Sequence, residues 1–412
     1  MSDQISFIHA ADLHLDSPFK GLAHVPEHIF NQIQASTFAA LDRLVQAAIE
    51  KQVDFVLIVG DLFDNEKQSL KAQVRLRRAF EELEHHAINV YLSYGNHDYT
   101  NGNIHPMTYP DNVFIFTKEE VTHFTFEKGG KPTTSIYGFS YENRSVTTKK
   151  AAEYQVADRT IPYHVAMLHG SLHSNTEHDV YAPFQISELR EKDFDYWALG
   201  HIHQREILAE DPYMVYPGNI QGRNRKETGE KGCYYVSLSK TNTSTSFIPL
   251  QALQFEELSM DASDCEGIYQ LEIKIQEQIK GIQKHSSPHL INLKLISNHS
   301  QLKKWETENL LEDIIELINE TLIHQHVWTY IFKYTIESEE GGLTSDLYHG
   351  EHFVGELIRH FDDISIQPYV KELFHHKQAR KYLETISEED AEIIKDKAKQ
   401  LLVNELLPNG GE

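Results

Sequence analysis

The chain has 412 residues, too many for one ordinary hydrophobic core, and its 40 % hydrophobic and 24 % charged residues suit a globular fold of two or three domains. The formal net charge of −24 is uneven: residues 1–250 carry 23 Lys and Arg against 32 Asp and Glu (−9), and residues 251–412 carry 15 against 30 (−15). This balance argues against a surface that grips nucleic acid unaided. No run approaches the roughly 18 apolar residues of a membrane span. The N-terminus lacks a signal pattern, and Cys233 and Cys265 are too few for a disulfide framework and lack zinc-knuckle spacing. A cytoplasmic location away from membranes is expected.

Taken in chain order, residues 5–8 read as a buried strand ending at Asp12-Leu13-His14. Ile33, Phe38, Leu41, Leu44, Val45 and Ile49 recur at helical spacing across residues 30–51, a crossover to a second strand over 54–59 that ends at Gly60-Asp61. Another helix over 69–86 leads to a strand over 89–94, which ends at Gly95-Asn96-His97-Asp98. The short β-rich runs of residues 113–140, broken by Gly129-Gly130, predict that the sheet continues with antiparallel strands. Strands over 164–168 and 195–199 end at His169-Gly170 and Gly200-His201-Ile202-His203, and residues 214–219 and 232–238 are again strand-like. A β-rich second sheet packed face to face on the first is the economical layout. The Ser/Thr-rich stretch 240–246 opens a linker that runs to Cys265. Beyond it, Ile268, Leu271, Ile275, Ile279 and Ile282 predict a helix, 290–296 a strand, 309–323 a helix and 328–336 a strand. Gly341-Gly342 then break this small α/β module from a helical tail, whose last helix opens at the capping box Ser387-Glu388-Glu389-Asp390.

Five strands therefore end in residues able to hold a metal, and in α/β sheets the strand C-termini form the ligand-binding crevice. Asp12 and His14, like His201 and His203, flank one residue, so each pair points the same way along extended backbone. The candidate ligands Asp12, His14, Asp61, Asn96, His169, His201 and His203 supply three oxygens and four imidazoles. That is too many for one first-row cation, but suits two ions about 3.5–4 Å apart sharing a carboxylate. Mixed imidazole and carboxylate donors favour Mn, Fe or Zn over Ca or Mg. Glycines 60, 95, 170, 200 and 218 let the backbone turn tightly beside the ions.

The ordered set Asp12-x-His14, Gly60-Asp61-x-x-Asp64, Gly95-Asn96-His97-Asp98, His169 and Gly200-His201-x-His203 resembles the calcineurin-like metallophosphoesterase superfamily. The wording of residues 7–15, 60–64 and 196–203 looks like its SbcD-type DNA-repair nucleases, and Asp12-Leu13-His14-Leu15-Asp16-Ser17-Pro18-Phe19 like the YhaO-like branch. The resemblance implies an αββα metallophosphoesterase sandwich over residues 1–250, a small α/β capping domain over 251–338 and a helical C-terminal partner-docking segment over 339–412. It also implies two divalent ions, manganese foremost. Asp12, His14, Asp61 and His203 would hold one; Asp61, Asn96, His169 and His201 would hold the other. On that resemblance, water activated between the ions would attack phosphorus, and His97, outside both sets, would protonate the leaving oxygen, with Asp98 fixing its orientation. Where some relatives carry a His three residues after the bridging Asp, this chain has Asp64. His173 and His178 are candidate substitutes, read here as solvated loop residues. Arg223, Arg225 and Lys226 form the basic cluster nearest the motifs, and Arg75, Arg77 and Arg78 another on a helix. Either could touch phosphate, although a helical charge run is usually a solvated face.

The expected function is a DNA-end phosphodiesterase in double-strand break repair, an exonuclease or endonuclease. It would be the nuclease subunit, forming a homodimer, of a complex with an SMC-like ABC ATPase of the SbcC type. A small-molecule nucleotide or monoester phosphoesterase is the alternative. A binding module that has lost the chemistry is disfavoured because every ligand and His97 are present.

Overall fold

The computed structural model describes residues 4–338, apart from residue 23 and residues 65–67, 102–106, 173–180, 283–286 and 298–300, and a few scattered positions beyond 338. The elements are β1 (Ile5–Ala11), α1 (Glu27–Glu50), β2 (Phe55–Val59), α2 (Leu70–His85), β3 (Asn89–Ser93), β4 (Val113–Ile115), β5 (Thr122–Lys128) and β6 (Lys131–Gly138). There follow β7 (Tyr163–His169), α3 (Ile186–Arg190), β8 (Tyr196–Gly200), β9 (Glu206–Glu210), β10 (Tyr213–Tyr216), β11 (Gly232–Leu238) and β12 (Thr243–Pro249). The last are β13 (Gln254–Asp261), α4 (Ile268–Ile282), β14 (His289–Ser297), α5 (Gln301–Thr307), α6 (Leu310–Leu322) and β15 (Thr329–Ser338). No described helix is long and apolar enough to cross a membrane.

These elements form two compact units. Met1–Pro18, Asn31–Glu256 and Ser287–His289 make the first; Phe19–Phe30, Glu257–Ser286 and Leu290–Glu412 make the second. The split thus falls at 256/257 rather than 250/251, and a short N-terminal segment joins the second unit. The tail expected over 339–412, with its Gly341-Gly342 break and capping box, lies almost wholly outside the described residues.

In the first unit two six-stranded sheets run in the orders β12-β11-β1-β2-β3-β4 and β5-β6-β7-β8-β10-β9. Alternation along β1 explains their stacking. Ile5 and Phe7 enter the layer between the sheets with Phe55, Leu57, Tyr163, Val165, Met167 and Tyr196. Ile8 and Ala10 face the other way, onto Leu41, Leu44, Leu76 and Phe80 of α1 and α2. Phe7 stacks on Phe55 at 5.1 Å and meets Tyr196 of the other sheet edge-on at 5.3 Å; such pairs add about 0.5–1.5 kcal/mol each beyond area burial. The outer face of the second sheet is covered by Phe184, Leu189 and Phe194, around α3, packed on Trp197, Leu199 and Met214. The result is helix, sheet, sheet, helix. The second unit sets α4, α5 and α6 against the sheet β13-β14-β15, with Leu271, Ile275 and Ile318 packed on Ile291, Leu293 and Leu295.

Three details differ from the sequence reading. β4 pairs parallel to β3, and the antiparallel hairpin of β5 and β6 belongs to the second sheet, where β6 runs parallel to β7. The Ser/Thr-rich stretch is not linker: it is β12, antiparallel to β11 at a sheet edge. Its alternating polar, β-branched composition suits a strand exposed on one side. β13 and α5 were not anticipated; β13 carries apolar and acidic residues in near alternation.

Register positions the site. Ala11 of β1 and Ser93 of β3 both lie level with Val59 of β2, and His169 of β7 is level with Gly200 of β8. Within each sheet the motif-bearing strands therefore end at matched heights.

Candidate metal centre

The turns that leave these strands adopt backbone conformations rare for residues with side chains: φ is +51° at Asp12, +42° at His14, +50° at Asp61 and +97° at His201. Such strain costs about 1–3 kcal/mol per residue and persists only where the surroundings impose it. Here they do. Asp12 N–H donates to the Gly60 carbonyl at 3.2 Å and His14 N–H to that of Asp61 at 3.0 Å. His201 N–H donates to both oxygens of the Asp12 carboxylate, at 3.2 and 3.0 Å, which joins the ends of the two sheets. Gly60 has φ +77°, and a Cβ there would lie 2.2 Å from the His169 ring. A Cβ on Gly95 would strike the Asp61 carboxylate at 2.3 Å, so only glycine fits either place.

Two ligand groups result. Asp12, His14, Asp61 and His203 bring one donor atom each within 4.8 Å of one another, and so do Asp61, His169 and His201; Asp61 belongs to both. Asn96 joins the second group, its Oδ1 lying 3.0 Å from His169 Nε2 and 3.2 Å from His201 Nδ1. A further group, His14, Asp64 and His97, overlaps the first. The donor chemistry fits divalent cations. His14 Nε2 and His203 Nε2 face each other at 3.1 Å, a spacing open to neighbouring ligands each about 2.0–2.1 Å from one ion. His169 Nδ1 lies 3.0 Å from the Val59 carbonyl, so it carries the proton and leaves the Nε2 lone pair facing inward.

Electrostatics point the same way. Burial pushes the Asp12 carboxyl well above the carboxylate range, and the adjoining Asp61 charge adds to this. Burial acts on Asp61 too, but His169, His97 and His201 outweigh it and hold that carboxyl below its ordinary value. Burial, with Arg223 and the neighbouring imidazoles, drives His14 well below the histidine range, and burial lowers His169 and His203 as well. Two adjoining buried carboxyls ringed by imidazoles make a receptive site for positive charge.

His97 lies at the margin of both groups. Its backbone N–H donates to Asp61 Oδ1 at 3.0 Å, its ring meets His14 edge-on at 4.9 Å, and Nδ1 sits 2.9 Å from the Asp64 carbonyl. That carbonyl, rather than Asp98, orients the ring. The Asp98 carboxylate instead accepts the N–H groups of Leu62 at 2.7 Å and Gly95 at 2.8 Å, bracing two of the turns. Burial, aided by Asp61, pushes its pKa up to about 8.

Arg223, of the basic cluster that could touch phosphate, is held between two carboxylates. It is enclosed, with Nη1 2.5 Å from Asp64 Oδ1 and Nη2 3.0 Å from Glu227 Oε1. Arg75 pairs with Asp42 at 2.9 Å and Arg77 with Glu81 at 3.2 Å, the solvated helix face that their spacing suggests. His173 and His178 lie outside the described residues. Sequence reasoning missed Glu227, whose Oε1 is 2.9 Å from His203 Nδ1.

Comparison with known proteins agrees with this chemistry. Residues 5–205 match the family described as calcineurin-like phosphoesterase. The metallophosphoesterase YhaO of Bacillus subtilis is 35 % identical over 407 residues, covering 98 % of this chain and 99 % of its own. The DNA double-strand break repair proteins Mre11 of Methanocaldococcus jannaschii and Aeropyrum pernix are 24 % and 26 % identical, covering 62 % and 56 % of this chain and 69 % and 58 % of their own. With a relative matched along nearly its whole length and a His/Asp cluster able to bind metal ions at the strand ends, the chain belongs to the calcineurin-like phosphoesterases, a family of metal-dependent hydrolases.

Proposed function

We propose that the chain is a two-metal phosphodiesterase acting on DNA ends, the nuclease subunit of a complex with an SMC-like ABC ATPase. The observation that carries the chemistry is the pair of donor groups sharing Asp61, with His97 beside them. Asp12, His14, Asp61 and His203 would hold one divalent ion, and Asp61, Asn96, His169 and His201 the other, with manganese the first candidate. Bound divalent ions polarise a phosphate and lower the pKa of water. The protein's own part is proton delivery: His97 Nδ1–H donates to the Asp64 carbonyl, which leaves Nε2 to pass a proton to the leaving oxygen. Similarity to the two Mre11 proteins supports DNA as the substrate, and that likeness spans over half of this chain.

The net charge of −24 gives this reading a consequence. With few cations available to displace counterions, the chain alone should bind DNA weakly and with a shallow salt dependence, and the ATPase should raise both affinity and slope. The test compares recessed and blunt duplexes, single-stranded DNA and mononucleotides as substrates in Mn, with and without an ATPase of that class. Turnover of DNA ends enhanced by the ATPase is expected. A clear preference for mononucleotides, indifferent to the ATPase, would replace the proposal with a nucleotide phosphoesterase.

A further inference from the structure

Glu227 stands outside every motif of the site, yet both oxygens of its buried carboxylate are fully used. Oε1 accepts from His203 Nδ1 at 2.9 Å and from Arg223 Nη2 at 3.0 Å. Oε2 accepts from the Arg223 backbone N–H and from Asn219 Nδ2, each at 2.7 Å. Arg223 in turn donates to Asp64 Oδ1 at 2.5 Å, and the Asp64 carbonyl accepts from His97 Nδ1 at 2.9 Å. One unbroken chain of contacts thus runs from His203 through Glu227, Arg223 and Asp64 to His97.

We propose that Glu227 and Arg223 are positioning residues: Glu227 holds His203 in the tautomer that turns Nε2 toward the metal, and Arg223 couples that ligand to the backbone turn that orients His97. This rests on the two-metal reading above. The two donor groups differ in this respect. His169 is oriented by a neutral backbone carbonyl, that of Val59. His203 is oriented by a charged carboxylate, which makes its imidazole a stronger donor. A buried carboxylate persists in charged form only when paired, and Arg223 supplies that pairing with Nη2 at 3.0 Å from Oε1 and Nε at 3.5 Å from Oε2; the same Nη2 lies 3.1 Å from His203 Nδ1, on the side away from the site-facing Nε2. Sequence distance hides the arrangement: Glu227 follows His203 by 24 positions and Arg223 follows Asp64 by 159.

The test uses the full chain stripped of metal, with two readouts. Histidine-selective 15N NMR reports the tautomer of His203, and titration with Mn(II), followed by the EPR signal of the free ion, reports affinity at each position. Glu227→Ala should abolish the Nδ1–H preference of His203 and weaken one of two Mn(II) positions by about 10–100-fold, with the other little changed. Glu227→Gln keeps an acceptor and should fall between it and wild type. If Glu227→Ala does not fold, the double variant Arg223→Met with Glu227→Gln, which removes both buried charges, takes its place. A folded variant with the wild-type tautomer and wild-type affinity at both positions would overturn the proposal. Wild-type protein that binds fewer than two ions would instead overturn the two-metal reading beneath it.

Discussion

The two units are made of the same materials, an apolar sheet covered by helices, and differ in what they bury. In the first, Asp12, Asp61, His14 and His169 are all at most 1 % exposed and turn their polar atoms toward one another, at the ends of strands whose exits are strained. In the second, the buried polar residues among those described up to residue 338 are Ser297, Asn319 and Thr329. Asn319 is answered by its neighbours, donating to the Ile331 carbonyl at 3.0 Å and accepting from the Ile331 N–H at 2.8 Å. Asn319, buried for stability, is satisfied by the protein; the groups buried for chemistry face each other and await something else.

The largest effect should come from breaking the chemistry while leaving the burial intact. His97→Ala is expected to lower phosphodiesterase activity in Mn by about 10²–10⁴-fold, the usual cost of losing a general acid. Metal content, measured by atomic emission, should stay at the wild-type value. Loss of bound metal in that variant would make His97 a ligand and dissolve the distinction between the donor groups and their neighbour.

The strand ends were legible because each combines two signals: an apolar run that can only be buried, and a polar residue directly after it that burial would otherwise penalise. What stayed hidden has no such local signature. Glu227 and Arg223 lie in a glycine-rich stretch without periodicity, and their importance comes from contacts across the fold. The Ser/Thr composition of β12 looks like linker until its pairing with β11 is seen. Asp98 beside His97 invited a direct role, but the tight turn aims its carboxylate back at Gly95 and Leu62. The parallel pairing of β4 depends on which sheet the chain has reached, and sequence patterning does not record that.

His9 is the borderline case: a buried histidine of the first unit that is satisfied as Asn319 is. Its Nε2–H donates to the Leu199 carbonyl at 3.1 Å and its Nδ1 accepts from the Tyr196 hydroxyl at 3.0 Å, tying β1 to β8. Burial holds its pKa down to about 3, below the ordinary 6.5. Between those values the unfolded chain binds a proton that the folded one refuses, so stability should rise with pH through this window and be fully present above it. At about 1.4 kcal/mol per pH unit, a few kcal/mol should be lost as pH falls from about 6.5 toward 3. His9→Gln should flatten that slope in urea titrations of metal-free protein at pH 7.5 and 5. An unchanged slope would show that His9 takes up its proton in the folded state.

Asn319→Ala probes the second unit. It leaves the Ile331 N–H and carbonyl buried without their partner, at a cost of about 1–3 kcal/mol for an unsatisfied group. The variant should unfold at lower denaturant concentration while binding Mn(II) as wild type does. A change in metal affinity would mean that the two units are not energetically separate.

Asp12→Asn should act in the opposite direction, and by less. In metal-free protein Asp12 is a buried carboxyl beside the charge of Asp61, and burial and that charge both work against its ionisation. An asparagine keeps an oxygen to accept the His201 N–H and removes the like-charge repulsion. Relief of strain held at a functional site is worth about 0.5–2 kcal/mol. Thermal denaturation in EDTA should therefore show Asp12→Asn to be more stable than wild type, whereas the stabilisation that wild type gains on adding Mn(II) should be largely lost. The two signs together separate a residue placed for a cation from one placed for the fold. If Asp12→Asn lowered metal-free stability as Asn319→Ala is expected to, Asp12 would be structural in the same sense as Asn319, and the contrast between the two units would fail at the residue on which it most depends.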